Sequence, residues 1–469
     1  MKSVIKTLSF LFILCSLLIV TTCSLPDEAT GTFSITIGGS GSRKLLDWDS
    51  SVNSDQLTHI ITLSAQGSEQ GGPQSKTIPA GGGTATFSVV PGTWIITVEG
   101  RQDGANGALK SYAEKTINVN AGKNDTVRIT MGEPPKPPKI DQNITVSTTA
   151  DWDAAIDIIK NGGGNINYII ELTGNFTVPG STAYTFGNVS DINVTLTGNQ
   201  TLTLSSPGNL LRLYGNQNVI LQDAKLKGYY SNNTAIVDMS YTSGTFTMNG
   251  SSSISNNTSG YSGAGVYMSG SSVTFIMNDT ASISANYASG SYVKGGGVYM
   301  SGGTFTMNDT ALISNNNAHS GSGAYVTGGT FTMNGSASIS NNTASGYFGG
   351  GGVYVEGSTA FNMTGGTISG NRANNSAENG GSGGAGVYVY SGTFTMTGGK
   401  IVSNSVSDGY GGGVYVYSGT LTINSPAVPE DIAGNNLGSP YLSLRNVCWS
   451  SSGGGIVTID GVVFTSTGW

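Results

Sequence analysis

Between residues 244 and 404 apolar and polar positions alternate in short runs that return at an interval close to 30 residues. Each interval holds three runs. In Thr304-Phe305-Thr306-Met307, Phe and Met share one side and the threonines the other. In Ala311-Leu312-Ile313-Ser314, Ile313 is followed three positions later by Asn316. In Val353-Tyr354-Val355 the valines share a side and the tyrosine opposes them. Period-2 runs bounded by Gly, Asn and Ser predict short strands joined by turns. The aromatics of the first run fall at Phe246, Phe275, Phe305, Phe331, Phe361 and Phe394, with Leu421 as a degenerate seventh. A fixed period of this length belongs to repeat folds. Three strands per period predict one coil of a right-handed parallel β-helix, with coils stacked about 4.8 Å apart.

Stacking places equivalent side chains over one another. Phe and Met of the first strand, Ile of the second and Val of the third are expected to fill a continuous interior. Asn257, Asn286, Asn316, Asn342, Asn371 and Asn404 share one turn. They are predicted to form a structural ladder, adopting left-handed backbone and bonding between coils. Tyr267, Tyr299, Tyr325, Tyr354, Tyr388 and Tyr415 oppose the valines and form an outward row, with Tyr390 and Tyr417 beside its end. Such a row either binds a sugar or partner surface through its ring faces, or holds strand register by stacking. Insertions gather elsewhere. The Phe-to-Ile spacing is 7 or 8 in all six repeats, whereas Asn to the next Tyr runs from 9 to 17. One corner therefore carries the long loops, either as a contact surface or as tolerated slippage of solvated Gly/Ser chain.

The flanks differ. Residues 29–131 lack the repeat and show alternating strands at Phe33-Ile35-Ile37, Phe87-Val89, Ile96-Val98, Ile117-Val119 and Val127-Ile129, a β-sandwich pattern. The run EPPKPPK at 133–139 predicts an extended linker. DWDAAIDIIK at 151–160 is a helix candidate, with Trp152, Ala155, Ile156 and Ile159 on one face, Asp151 able to cap it and glycines at 162–164 to stop it. It suits a lid over the open end of a solenoid. The chain is thus divided as 1–22 signal segment, 23–132 β-sandwich spacer, 133–142 linker and 143–469 capped β-helix: an all-β protein.

Lys2, Lys6 and the apolar run 8–20 form a targeting segment, too short for a membrane span. Val20-Thr21-Thr22-Cys23 resembles the lipobox of bacterial lipoproteins, which implies acylation of Cys23 and an outer-membrane lipid anchor; cleavage as an ordinary secretory signal is the alternative. Cys15 falls within the signal, so Cys448 is left without a partner and no disulfide framework is expected. Without Lys2 and Lys6 the chain has 18 basic and 27 acidic residues, a net charge near −9. It has no basic stripe, which argues against nucleic acid as a partner.

Catalysis of polysaccharide cleavage needs paired carboxylates or acidic metal ligands beside a base. The repeats offer Lys294, Lys400, Arg372, Asp279, Asp309, Asp408, Glu356 and Glu378 on different coils. His319 stands in a loop and His59 in the preceding unit, too few ligands for zinc. Cys448 reads as a small buried hydrophobe. No catalytic set, cofactor or metal is expected.

Two further resemblances bear on function. FSVVPGTWIITVEG at 87–100 and INVNAGKNDTVRI at 117–129, the latter placed as a closing hairpin, resemble the prealbumin-like or carboxypeptidase-regulatory-like modules of bacterial surface proteins, which implies a spacer. GGGVYV with ISNN resembles the paired repeats of chlamydial polymorphic membrane proteins and the adhesin-like β-helix proteins of spirochaetes. Here Ile stands for their Phe before the Asn, and the lipid would replace their barrel as anchor. The resemblance implies a surface-exposed adhesin or coat protein binding a host surface protein or glycan without catalysis. The alternative is a polysaccharide-binding or polysaccharide-degrading protein of the pectin-lyase-like fold.

Overall fold

The computed structural model describes residues 30–37, 45–46, 49–53, 56–66, 72–124, 127, 129, 131 and 140–464, apart from 347–348, 375–382, 408–410, most of 425–446 and 451–453. The signal segment 1–22, Cys23 and the proline run 133–139 lie outside the described residues. The chain forms two compact units, Met1–Pro137 and Pro138–Trp469.

In the first unit a three-stranded sheet (Gly31–Ile37, Gly83–Val89, Gly122–Lys123) and a four-stranded sheet (Thr58–Ala65, Gln74–Ile78, Gly92–Arg101, Leu109–Val119) share one core. Phe33, Ile35, Ile61, Leu63, Phe87, Trp94 and Ile96 fill it. Every second residue of Gly92–Arg101 is buried, as the pleat requires. Two inner faces over one core make a sandwich. Residues 117–129 do not close as a hairpin. Leu109–Val119 pairs with Gly92–Arg101, and Gly122–Lys123 runs parallel to Gly31–Ile37 in the other sheet. Asn124, bonded to Asn120 and to the Thr32 carbonyl, fixes this crossing.

The second unit is a right-handed parallel β-helix. A 13-stranded sheet and two nine-stranded sheets run along it. Its first strand, Ile140–Val146, starts inside the expected linker 133–142. Strands without the repeat signature extend the same sheet, and their interior ladder runs Tyr168, Val194, Val219 into Phe246. From there Phe275, Phe305, Phe331, Phe361, Phe394 and Leu421 follow in register. Neighbouring rings from Phe275 to Phe394 lie 4.6–4.7 Å apart, within 13° of parallel. Each such stack adds about 0.5–1.5 kcal/mol beyond the area it buries. The Met, Ile and Val ladders complete the same core.

A fourth, narrow sheet of two-residue strands runs from Thr258–Ser259 to Ser405–Val406, so repeat coils have four strands rather than three. It follows directly on the asparagine ladder. Asn286 donates Nδ2 to Asn316 Oδ1 at 3.1 Å, Asn316 to Asn342 at 3.0 Å, Asn342 to Asn371 at 3.0 Å and Asn371 to Asn404 at 2.9 Å. Asn232 and Asn435 prolong the ladder at its two ends. All six expected members are buried. The left-handed residue is not the ladder Asn but the one before it: Asn256, Ala285, Asn315, Asn341, Gly370 and Ser403. That turn aims the following amide inward.

The ladder also explains a glycine two positions before each strand tyrosine. A Cβ on Gly352 would lie 2.5 Å from the Gly386 carbonyl oxygen and 3.1 Å from Asn371 Nδ2. Only a residue without a side chain admits so close an approach.

The helix Thr149–Gly162 closes the first coil. Trp152, Ala155, Ile156 and Ile159 are its buried face and join the solenoid core. Thr148, not Asp151, is the N-cap. Asp151 is the reciprocal partner in a capping box. Amide and hydroxyl donors from Ser147 and Thr148 hold the Asp151 carboxyl below the usual range.

Candidate functional site

The outward tyrosines lie in one register on the third sheet. Arg212, Asp238, Tyr267, Tyr299, Tyr325, Tyr354, Tyr388, Tyr415 and Cys448 face one another on successive strands. The row is not exposed. Tyr325 and Tyr388 are 1% accessible and Tyr354 4%. Tyr415 is also buried, while Tyr267 and Tyr299 are half-buried. Ring centroids stand 5.1 Å apart for Tyr267–Tyr299, 5.7 Å for Tyr299–Tyr325, 4.6 Å for Tyr325–Tyr354, 4.8 Å for Tyr354–Tyr388 and 5.3 Å for Tyr388–Tyr415. The ring faces a sugar would need are covered by other rings. Tyr390 and Tyr417 pack beside the row.

Local sequence produces this cover. Four residues before each tyrosine stands a left-handed glycine, such as Gly321, Gly350 and Gly384. A Cβ there would come within 2.7–2.8 Å of the tyrosine Cβ. The Gly-rich turn therefore lies directly on the base of the tyrosine. Burial raises the phenol pKa of Tyr267, Tyr299, Tyr325 and Tyr354, with nearby carboxylates and phenols adding to it. These four phenols are neutral at physiological pH.

Lys294 and Glu356, separate in the sequence, meet over this row. Lys294 Nζ lies 4.4 Å from the Tyr325 ring centre and 3.5 Å from Glu356 Oε2. Tyr325 Oη donates to the same carboxylate oxygen. The three groups come from three consecutive coils and tie them together. Nearby, His319 packs 5.1 Å from the ring of Tyr292, and burial followed by the Lys294 charge lowers its pKa. Ahead of Tyr267 in the same register, Arg212 pairs with Asp238 at 3.1 Å and lies over the rings of Tyr184 and Tyr241.

Several of the remaining acid–base candidates have local structural roles. Asp279 accepts from Gly250 N at 2.8 Å and Asp309 from Asp279 N at 3.0 Å, each itself left-handed in a turn. Asp223 accepts from Ser251 N in the same manner, which keeps its pKa low. Arg372 bonds to Asn374. His59 is buried in the first unit, where burial lowers its pKa against the raising effect of the Leu57 backbone. Burial pushes the Cys448 thiol up. Asp408 and Glu378 lie outside the described residues. Among the described residues no three His, Cys, Asp or Glu side chains cluster as a metal site, and no helix is long and apolar enough to cross a membrane.

The repeat reading missed a second amide ladder along the first sheet. Asn278 donates to Asn249 at 2.8 Å, Asn308 to Asn278 at 2.8 Å and Asn334 to Asn308 at 2.9 Å. Its signal was present in the Asn that ends "TFTMN". No family model, curated protein or solved structure matches the chain. The structure itself establishes the parallel β-helix preceded by a small sandwich, and no match supports the chlamydial or spirochaetal resemblance.

Proposed function

We propose that this is a lipid-anchored surface protein of the bacterial outer membrane, an adhesin-like or coat rod that binds without catalysis. The supporting observation is where the recurring polar groups are engaged. The asparagine ladder, the tyrosine row, Lys294, Glu356, Asp279 and Asp309 all bond to other coils. What differs from coil to coil is the corner between the second and third sheets. A rod with a constant frame and one variable edge suits presentation of a surface rather than turnover of a substrate. Cys23 would supply the anchor and the sandwich the spacer.

Living cells treated with a protease too large to cross the outer membrane provide the test. Loss of the solenoid on immunoblot supports surface display. Survival of the solenoid while a control surface protein is cut would move it to the periplasm and end the adhesin reading.

A further inference from the structure

Burial of the strand tyrosines leaves a different set of rings in solvent. Between residues 166 and 423, the exposed large hydrophobics among the described residues are all tyrosines: Tyr230, Tyr241, Tyr261, Tyr287 and Tyr292. All but Tyr241 lie in the connections between the second and third sheets, on three successive coils. This is the corner whose length varies between repeats.

These connections are built to hold their rings. Thr258 pairs with Tyr287, and Asn232 bridges to Ser259, so neighbouring coils are in step. Ser259 Oγ accepts from Tyr261 N at 3.0 Å. The loop of Tyr292 is stitched to that of Tyr261 twice, by Lys294 N to Ser262 Oγ at 3.1 Å and by Gly263 N to Lys294 O at 2.9 Å. Tyr292 is 68% exposed, yet its backbone sits at φ 70. The other non-glycine residues described at positive φ are Asp, Asn, Ser or Ala. A bulky aromatic there is strained, and strain retained at an exposed position points to use. A chain with 72 glycines had a relaxed residue at hand.

We propose that Tyr230, Tyr261, Tyr287 and Tyr292 form a binding track for an uncharged, hexose-based polysaccharide. This deepens the reading of the solenoid as a binding rod and rests on it. Pyranose rings present C–H faces that pack on tyrosine rings, while their hydroxyls need amides and hydroxyls such as those of the Asn, Ser and Thr around this corner. Coils repeat at about 4.8 Å, a step comparable with the length of one sugar residue in an extended chain. Charge selects the class: Lys294 is paired with Glu356 and the whole chain is net −7, which disfavours anionic polymers. A protein partner fits less well, because hot spots need a contiguous desolvated centre, and here exposed aliphatic side chains do not accompany the rings.

The test is affinity electrophoresis of the full chain in detergent, through gels containing galactomannan, linear β-1,4-glucan or β-1,3-glucan, with polygalacturonate as the anionic comparison. At least one neutral polymer retards the protein and polygalacturonate does not. Tyr261→Ala and Tyr292→Asn each weaken the retardation about fivefold. Tyr292→Asn leaves Tm unchanged or higher, because Asn tolerates the left-handed backbone. Tyr241→Ala, off the corner, behaves as wild type. Retardation by no neutral polymer, equal retardation of all variants, preference for polygalacturonate, or a fall in Tm that accompanies the lost binding each overturns the proposal. The protease result on cells is independent of these outcomes, so loss of the glycan track and loss of surface display are told apart.

Discussion

Tyr325 and Tyr354, outward-pointing on adjacent strands, stack at 4.6 Å and 14° with almost no solvent contact. An outward residue of a solenoid is thus part of a second, thinner core. Truncating Tyr354 to Ala removes a ring covered on both sides and is expected to destabilise by about 3 kcal/mol. Because repeat stability is a sum of coil and interface terms, the loss concentrates in flanking coils and is read as faster amide exchange around Tyr325 and Tyr388. A change under about 1 kcal/mol would mean the ring is solvated.

The asparagine ladder gives a sharper expectation. Asn342 is wholly buried and bonds both Asn316 and Asn371. Asn342→Ala strands the backbone and side-chain donors of Asn316, takes a donor from the Asn371 Oδ1 and Ile313 carbonyl acceptors, and costs about 3 kcal/mol, measured by thermal unfolding. Asn342→Asp keeps the acceptor, loses the donor and buries a carboxylate, so it is at least as damaging at neutral pH.

Lys294 and Glu356 behave differently. Their side chains are 38% and 30% exposed, so solvent screens the pair. Lys294→Met is expected to change stability by less than about 1 kcal/mol, and any loss shrinks with added salt. A large, salt-independent loss would contradict this.

Alkali probes the tyrosines together. Their folded pKa values lie above the unfolded value near 10. The contribution of the neutral phenols is therefore complete below about pH 10 and is lost as pH rises towards the folded values. Phenolate absorbance of the row and loss of strand dichroism should rise together in one cooperative step. Ionisation of these tyrosines well before any unfolding would contradict the stacked arrangement.

How much of this was legible depends on what stacking repeats. Phe305, Met307, Ile313, Val353 and Asn342 recur because each lies on its own image, so period alone placed them. The burial of Tyr354 was not legible: alternation assigns a side of the strand, not whether a turn and neighbouring rings cover that side. Lys294 and Glu356 meet across two coil steps of unequal length, and the spacing of such coils does not reveal phase. The left-handed turn was displaced by one residue because Asn315 and Asn316 are both Asn, and only backbone geometry separates their roles. The strand at Gly122–Lys123 escaped the hairpin reading because its partner, Gly31–Ile37, is remote in sequence.

The central claim is that the strand tyrosines form an internal stack and the loop tyrosines the working surface. Nitration of the folded chain under limiting tetranitromethane, mapped by mass spectrometry, tests it directly. The account predicts modification of Tyr230, Tyr261 and Tyr292 with protection of Tyr325, Tyr354 and Tyr388. Modification of Tyr325, Tyr354 and Tyr388 at the same rate, in protein whose strand dichroism is intact, would contradict it.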